Sequence, residues 1–444
     1  MDFLSKVNEN KEKMIQDMQG LLRIDSTLIE NPDSKEAPFG EGIRQSLDYL
    51  LDLGEKMGFA VKNVNNVSGH IEYGEGQDIV GILVHVDVVP AIGKWKYPPF
   101  SATIEGNKLY ARGANDDKGP AIAALYALKA LKDLGVKLNK RVRLIIGTDE
   151  ETSWRGIKEY FKVCEMPTVG FSPDAEFPVI YGEKGIMSID VIDEAPSDLL
   201  FAAGDRYNVV PDEARVRIDK DLQKEFHAFL EATGLSGEYG DEIILHGKAA
   251  HAMEPNNGIN AMIRLCEFLS GHVNNSLIQF VADKLNDSRF KAIGLDFSDP
   301  EMKDLTVNAA VLKIDNRQGK LGLNLRYPIN WDKEAFLKNF REQAASYGLN
   351  CLIRSDQVPH YVDKNDPLVK TLHNAYIEYT GDTKSELLTI GGGTYARALK
   401  KGVAFGVVFP GREEVAHQVD EYVIIEDILL ATAIMTKAIY DLAK

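Results

Sequence analysis

A chain of 444 residues is longer than a single hydrophobic core usually grows, so two domains are expected. Apolar residues at 44% and charged residues at 27% place it among ordinary globular proteins, and no apolar run reaches the length of a membrane span. A net charge of −16 speaks against a nucleic-acid partner and against an anionic membrane surface.

The opening "MDFLSKVNENKEKM" has no basic stretch followed by an apolar one, so no signal peptide is expected. Cys164, Cys266 and Cys351 are odd in number and show no metal-binding spacing. They read as free thiols in a reducing compartment, which favours a cytoplasmic protein.

Helix and strand patterns alternate at first. "EGIRQSLDYLLDLGEKMGF" (41–59) has apolar residues at helical spacing. "DIVGILVHVDVV" (78–89) is a continuous β-branched run, as in a strand buried on both faces. "FSATIEGNKLYARG" (100–113) alternates on either side of Gly-Asn and predicts a hairpin. A long apolar helix follows over about 118–134, then "RVRLIIGT" as strand, "WRGIKEYFKVC" as helix and "TVGFSP" as strand. This order predicts an α/β fold with a mostly parallel sheet and helices on both faces.

Near residue 185 the character changes. "GIMSIDVIDEA", "DEARVRID", "DEIILHGKAAH", "TVNAAVLKID" and "LGLNLRYPIN" are short strands, separated by helical patterns in "NGINAMIRLCEFL" and "DKEAFLKNFREQAASYG". After about residue 361 long helices return around "VAFGVVFPG". The chain therefore divides into a discontinuous α/β domain (1–185 and 361–444) and an inserted α+β domain (186–360).

Ligands of open α/β sheets bind beyond the carboxyl ends of the strands. Those ends carry His85 and Asp87, then Asp149, Glu150 and Glu151, then Asp174 and Glu176, with His417 in the loop after "VAFGVVFPG". Asp116 and Asp117, just before the long helix, reach the same rim. Each piece alone has an ordinary explanation: a helix start tolerates acids, a strand histidine can be a satisfied core residue, and "TDEE" can be a solvated turn. Together they would bury neighbouring carboxylates at a cost of several kcal/mol unless cations sit among them. Mixed histidine and carboxylate donors suit zinc, cobalt or manganese. More donors than one zinc needs point to two metals and a shared carboxylate.

In this order "HVD", "GANDDKGP", "TDEET", "SPDAE" and "AHQVDE" resemble the di-zinc metallopeptidase family of aminoacylases, carboxypeptidase G-type enzymes and carnosinases. "VVPAIGKW", "ARGANDDKGP", "TDEETSWRGI" and "FSPDAEFPVIYGEKG" are most similar to its bacterial PepV-type dipeptidase branch. The resemblance spans the chain. It implies two zinc ions, with cobalt or manganese as substitutes. His85, Asp116 and Asp174 would hold one, and Asp116, Glu151 and His417 the other. It implies a cis peptide between Asp116 and Asp117. Asp87 would accept the other N–H of the His85 imidazole. Glu150 would deprotonate a metal-bridging water and pass the proton to the leaving amine.

The resemblance also assigns the inserted domain as a lid that reaches the substrate. His251 and Asn208 would stabilise the oxyanion, and Arg326 would clamp the substrate carboxylate. Gly391 and Gly392, in "GGGTYAR", would present backbone N–H groups to that carboxylate. The activity implied is a monomeric dipeptidase that cleaves unblocked dipeptides. An amidohydrolase of N-acyl amino acids or succinyl-diaminopimelate shares the pattern. An idle metal- or peptide-binding protein would not need Glu150.

Overall fold

The computed structural model describes residues 1–444, which form two compact units. The first comprises Met1–Tyr181, Val362–Leu388 and Thr394–Lys444, and the second Gly182–Tyr361 with Thr389–Gly393.

The sheet of the first unit runs in the order Ala60–Val64, Ser68–Tyr73, Arg141–Gly147, Ile79–His85, Val169–Ser172, Gly402–Ala404. Arg141–Gly147, Ile79–His85, Val169–Ser172 and Gly402–Ala404 are parallel neighbours. The two strands at the outer edge pair antiparallel. All seven residues of Ile79–His85 are buried, as its β-branched run predicts. His85 stands level with Gly147. Four parallel strands thus deliver their carboxyl ends, and the loops that follow, to one edge.

Successive residues of a strand face opposite sides. On Ser68–Tyr73, Ile71 packs at Gly54 of the helix Glu41–Lys56, whereas His70 meets Tyr160 of the helix Arg155–Val163. Helices therefore cover both faces. The helix Lys118–Asp133 is buried on nearly every side and packs against Ile425–Ala443. Its Pro120 lies in the first turn, where the missing N–H has no intrahelical partner to lose. The predicted hairpin forms from Thr103–Glu105 and Lys108–Tyr110, and Tyr422–Ile424 joins it as a third, antiparallel strand.

His70 makes the first unit acid-sensitive. Its Nδ1 lies 2.8 Å from the Tyr160 hydroxyl. Burial, assisted by Arg143, holds its pKa at about 4 instead of 6.5. The unfolded chain then binds a proton below about 6.5 that the folded chain refuses until about 4. This contribution to stability is complete above pH 6.5 and is lost as the pH falls toward 4, by on the order of 3 kcal/mol. His70→Gln should flatten the difference between urea unfolding at pH 7 and pH 5; an unchanged difference would refute it.

The second unit is an antiparallel sheet in the order Ser236–Tyr239, Ile243–His246, Glu213–Arg217, Leu200–Ala203, Thr306–Ile314, Gly319–Tyr327, Gly185–Asp193, Asn350–Gln357. Alternate residues such as Met187, Ile189 and Val191, and Leu321, Leu323 and Leu325, enter one core. Helices Gln223–Thr233, Ala261–Ser270, Ser276–Lys284 and Lys333–Ala345 cover it with Phe226, Leu265, Phe280 and Phe340. Residues 389–393 pack with this unit, whereas the sequence pattern assigns 361–444 whole to the other. The Lys184 N–H donates to the Ile390 carbonyl, and Arg326 donates to that of Gly391.

Candidate metal centre

The loops at the carboxyl edge of the first sheet bring the five predicted metal donors together. Asp116 Oδ1 lies 2.9 Å from His85 Nε2, and Asp116 Oδ2 lies 3.0 Å from His417 Nε2. Asp174 Oδ2 is 3.5 Å from the same His85 nitrogen, and Glu151 Oε1 is 3.0 Å from the same His417 nitrogen. Two donor groups result, His85–Asp116–Asp174 and Asp116–Glu151–His417, each with its donor atoms within 4.8 Å of one another. Asp116 is common to both, one oxygen toward each histidine. The Asp116–Asp117 peptide is cis.

These donors fit metal ions. His85 Nε2 and Asp116 Oδ1 are buried and lack a hydrogen-bond partner despite their proximity. Buried polar atoms are ordinarily paired, so atoms left in this way around a common point are placed for a cation. Imidazole and carboxylate together suit zinc, cobalt or manganese.

The electrostatics of the metal-free protein follow from the same crowding. Burial opposes charge on His85, but Asp116, Asp174 and Asp87 outweigh it and hold its pKa well above the ordinary value. His417 is likewise opposed by burial and raised to about 11 by Asp116 and Glu151. Burial also opposes ionisation of Asp116, yet His417 and His85 hold its carboxyl well below the usual range. Burial, reinforced by Asp116, pushes Glu151 up to about 7 and raises Asp174. Burial raises Glu150 well above its usual value, with Asp174 and Glu151 adding to it against His85. Divalent cations would favour the carboxylates and displace the ring protons.

The surrounding shell differs in one atom from expectation. His85 Nδ1 lies 3.0 Å from the backbone carbonyl of Asp87 and 3.5 Å from its carboxylate. The Asp87 carboxylate instead accepts the Glu151 N–H at 3.1 Å. Asp87 still fixes the imidazole, through its main chain, while its side chain pins the "TDEE" turn. Asp117 accepts the His85 N–H at 3.0 Å. Glu150 belongs to neither donor group.

Several supporting contacts are not visible in the sequence. Asp149 is buried at a left-handed φ of 66° and is gripped by Arg155 through Nε at 2.6 Å and Nη2 at 2.9 Å. Tyr395 stacks edge-on to His85 with ring centres 6.0 Å apart. Arg112 and Glu421 form a buried pair beneath the loops of Asp116 and His417. These residues lie inside or beside the quoted motifs, but residue type does not tell which acids, such as Asp149 and Glu421, pair with arginine and which face a metal.

The second unit gathers the other predicted residues. The Ala252 N–H donates to the Asn208 carbonyl and Val209 bridges to His251, which sets Asn208 and His251 side by side. Arg326 is buried and donates from Nη1 to the Gly391 carbonyl at 2.9 Å and from Nε to Asn324 at 2.8 Å. A Cβ added to Gly391 would stand 2.9 Å from that of Met253, two residues beyond His251. Asn208, His251, Arg326 and the Gly391–Gly392 loop thus share one neighbourhood.

Residues 81–441 match the model of peptidase family M20/M25/M40. YtjP of Bacillus subtilis strain 168, whose name assigns it provisionally to the dipeptidases, is 46% identical over the whole of both chains. The structure of human carnosine dipeptidase 1 has a TM-score of 0.59 at 14% identity, covering 99% of this chain and 98% of that one. A Bacillus subtilis protein described as a dinuclear metal-binding peptidase of family M20 has a TM-score of 0.50 at 11% identity, covering 97% of this chain and 99% of that one. The last two are likenesses of fold.

Proposed function

Because the chain belongs to peptidase family M20/M25/M40, we propose that it is a dinuclear metallo-dipeptidase that hydrolyses the peptide bond of unblocked dipeptides. The observation that carries this reading is Asp116, with one carboxylate oxygen toward His85 and the other toward His417. His85, Asp116 and Asp174 would hold one ion, and Asp116, Glu151 and His417 the second. Zinc is the metal proposed, with cobalt or manganese as substitutes. Ions held there supply Lewis acidity and acidify water.

The chain's own residues do the rest. Glu150 is half-buried beside the donors without being one, so its carboxylate is available to take the proton from the attacking water. The same carboxyl then returns the proton to the departing amine. His251 and Asn208 hold the oxyanion by hydrogen bonds. Arg326, with the backbone of Gly391 and Gly392, holds the substrate carboxylate and so measures the length of a dipeptide. A monomeric enzyme is proposed as well, because the large inserted unit, Gly182–Tyr361, carries its own Asn208, His251 and Arg326. No helix is long and apolar enough to cross a membrane; a cytoplasmic location rests on the free thiols.

The test is a hydrolysis panel of free dipeptides, tripeptides, N-acetyl amino acids and succinyl-diaminopimelate. Dipeptides should be cut fastest, a chelator should abolish the activity, and zinc, cobalt or manganese should restore it. Preference for an acylated substrate would make the protein an amidohydrolase of the same fold. Full activity in protein that elemental analysis shows to be metal-free would end the metal reading.

A further inference from the structure

Arg112 and Glu421 are joined by 2.6 Å between Nη1 and Oε2, and their side chains are 2% and 0% exposed. A buried ion pair is weak evidence of stability, because desolvation offsets the attraction and apolar residues of similar size often do as well. The pair therefore calls for another reason. Its remaining contacts supply one.

Glu421 Oε1 accepts the backbone N–H groups of Asn115, at 2.8 Å, and Asp116, at 3.2 Å. Arg112 donates from Nη1 to the Gln418 carbonyl at 3.2 Å and from Nη2 to the His417 carbonyl at 3.3 Å. One side chain grips the main chain at the shared carboxylate, and the other grips it at the histidine of the second donor group. His417 and Asp420 both have left-handed φ, 64° and 58°, a region that non-glycine residues seldom occupy, so this loop needs outside support to keep its shape. The three-stranded sheet delivers the pair. Tyr110 is aligned with Tyr422, the Ala111 N–H donates to the Glu421 carbonyl, and the gripped segments leave the sheet on either side of that last contact. Trp95 covers the guanidinium, its ring centre 5.1 Å away.

We propose that Arg112 and Glu421 are positioning residues that lock the Asp116 loop to the His417 loop and so set the geometry of the second metal site, Asp116–Glu151–His417. The first site keeps His85 and Asp174, whose loops the pair does not hold, so the two sites should respond unequally. This rests on the dinuclear reading above.

Titration calorimetry with Co²⁺, followed in parallel by the visible spectrum, tests it on the full-length chain. The wild type should bind two Co²⁺. Glu421→Gln should bind the first with little change and the second about 10–100-fold more weakly, the usual loss when a ligand's outer partner is removed. Since Glu421→Gln strands a buried guanidinium, the double variant Arg112→Met/Glu421→Leu provides the control: it should stay folded and still lose affinity chiefly at the second site, where the pair holds two of the three donors. Two Co²⁺ bound at wild-type affinity by either folded variant would overturn the proposal. So would equal weakening of both sites, or failure of both variants to fold, either of which makes the pair a structural element only. A wild type that binds fewer than two ions would instead overturn the dinuclear reading, and this inference with it.

Discussion

Glu150→Gln is expected to keep its full complement of metal and to hydrolyse dipeptides at least about 10²–10⁴-fold more slowly, the range for losing a general base. The amide has the shape of the carboxyl and cannot take a proton. Glu150 belongs to neither donor group, so ligation should not notice the change. The metal-free fold should not suffer either. Burial and the carboxylates of Asp174 and Glu151 already disfavour charge at this position, so a neutral amide costs little there. The loss should fall on kcat, since Arg326 and the Gly391–Gly392 loop are untouched. Glu151→Gln provides the contrast. It alters a donor that sits 3.0 Å from His417, so metal should be lost along with turnover. Elemental analysis of both variants, beside kcat and KM, separates the roles. Loss of metal from folded Glu150→Gln, with retention by Glu151→Gln, would exchange them.

The rim of the sheet was legible because its strands are parallel and buried. A run such as "GILVHVDVV" can lie only in a sheet covered on both faces, and every such strand ends on the same edge. Residues at those ends can therefore be grouped without knowing any contact. The parallel register that levels His85 with Gly147 is the physical form of that rule. What could not be read depends on torsions and on distance along the chain. Whether Asp87 meets His85 with its carboxylate or its carbonyl turns on local geometry two residues away, which residue type does not encode. The Arg112–Glu421 pair joins positions 309 apart, and each residue alone reads as a surface charge. Residues 389–393 join the second unit through hydrogen bonds to Lys184 and Arg326, again non-local. The flanking strand Ala60–Val64 is mostly exposed and carries little apolar pattern to find.

Asp116→Asn is expected to abolish turnover by a different route, through the metals themselves. A carboxylate offers an oxygen to each side, whereas an amide offers one oxygen and one NH₂ group, which repels a cation as it repels an imidazolium. Either His85 or His417 must then face the wrong atom, since the two stand 2.9 and 3.0 Å from opposite oxygens. The site should lose at least one ion, and activity should fall below detection. The stability of the protein gives a second readout. Ligands that bind only the folded chain stabilise it by RT ln(1 + [L]/Kd), about 4 kcal/mol at a thousandfold excess over Kd. Zinc should therefore raise the Tm of the wild type by several degrees and that of Asp116→Asn much less. The metal-free variant should itself melt lower, because His417, held up at about 11 by Asp116 and Glu151 against burial, keeps only one of those partners. Two effects of the same sign thus separate: one present without metal, from the lost ion pairs, and a larger one that appears only on adding zinc. A variant that melts lower without metal yet gains as much from zinc as the wild type would show that Asp116 supports the histidines without bridging the ions.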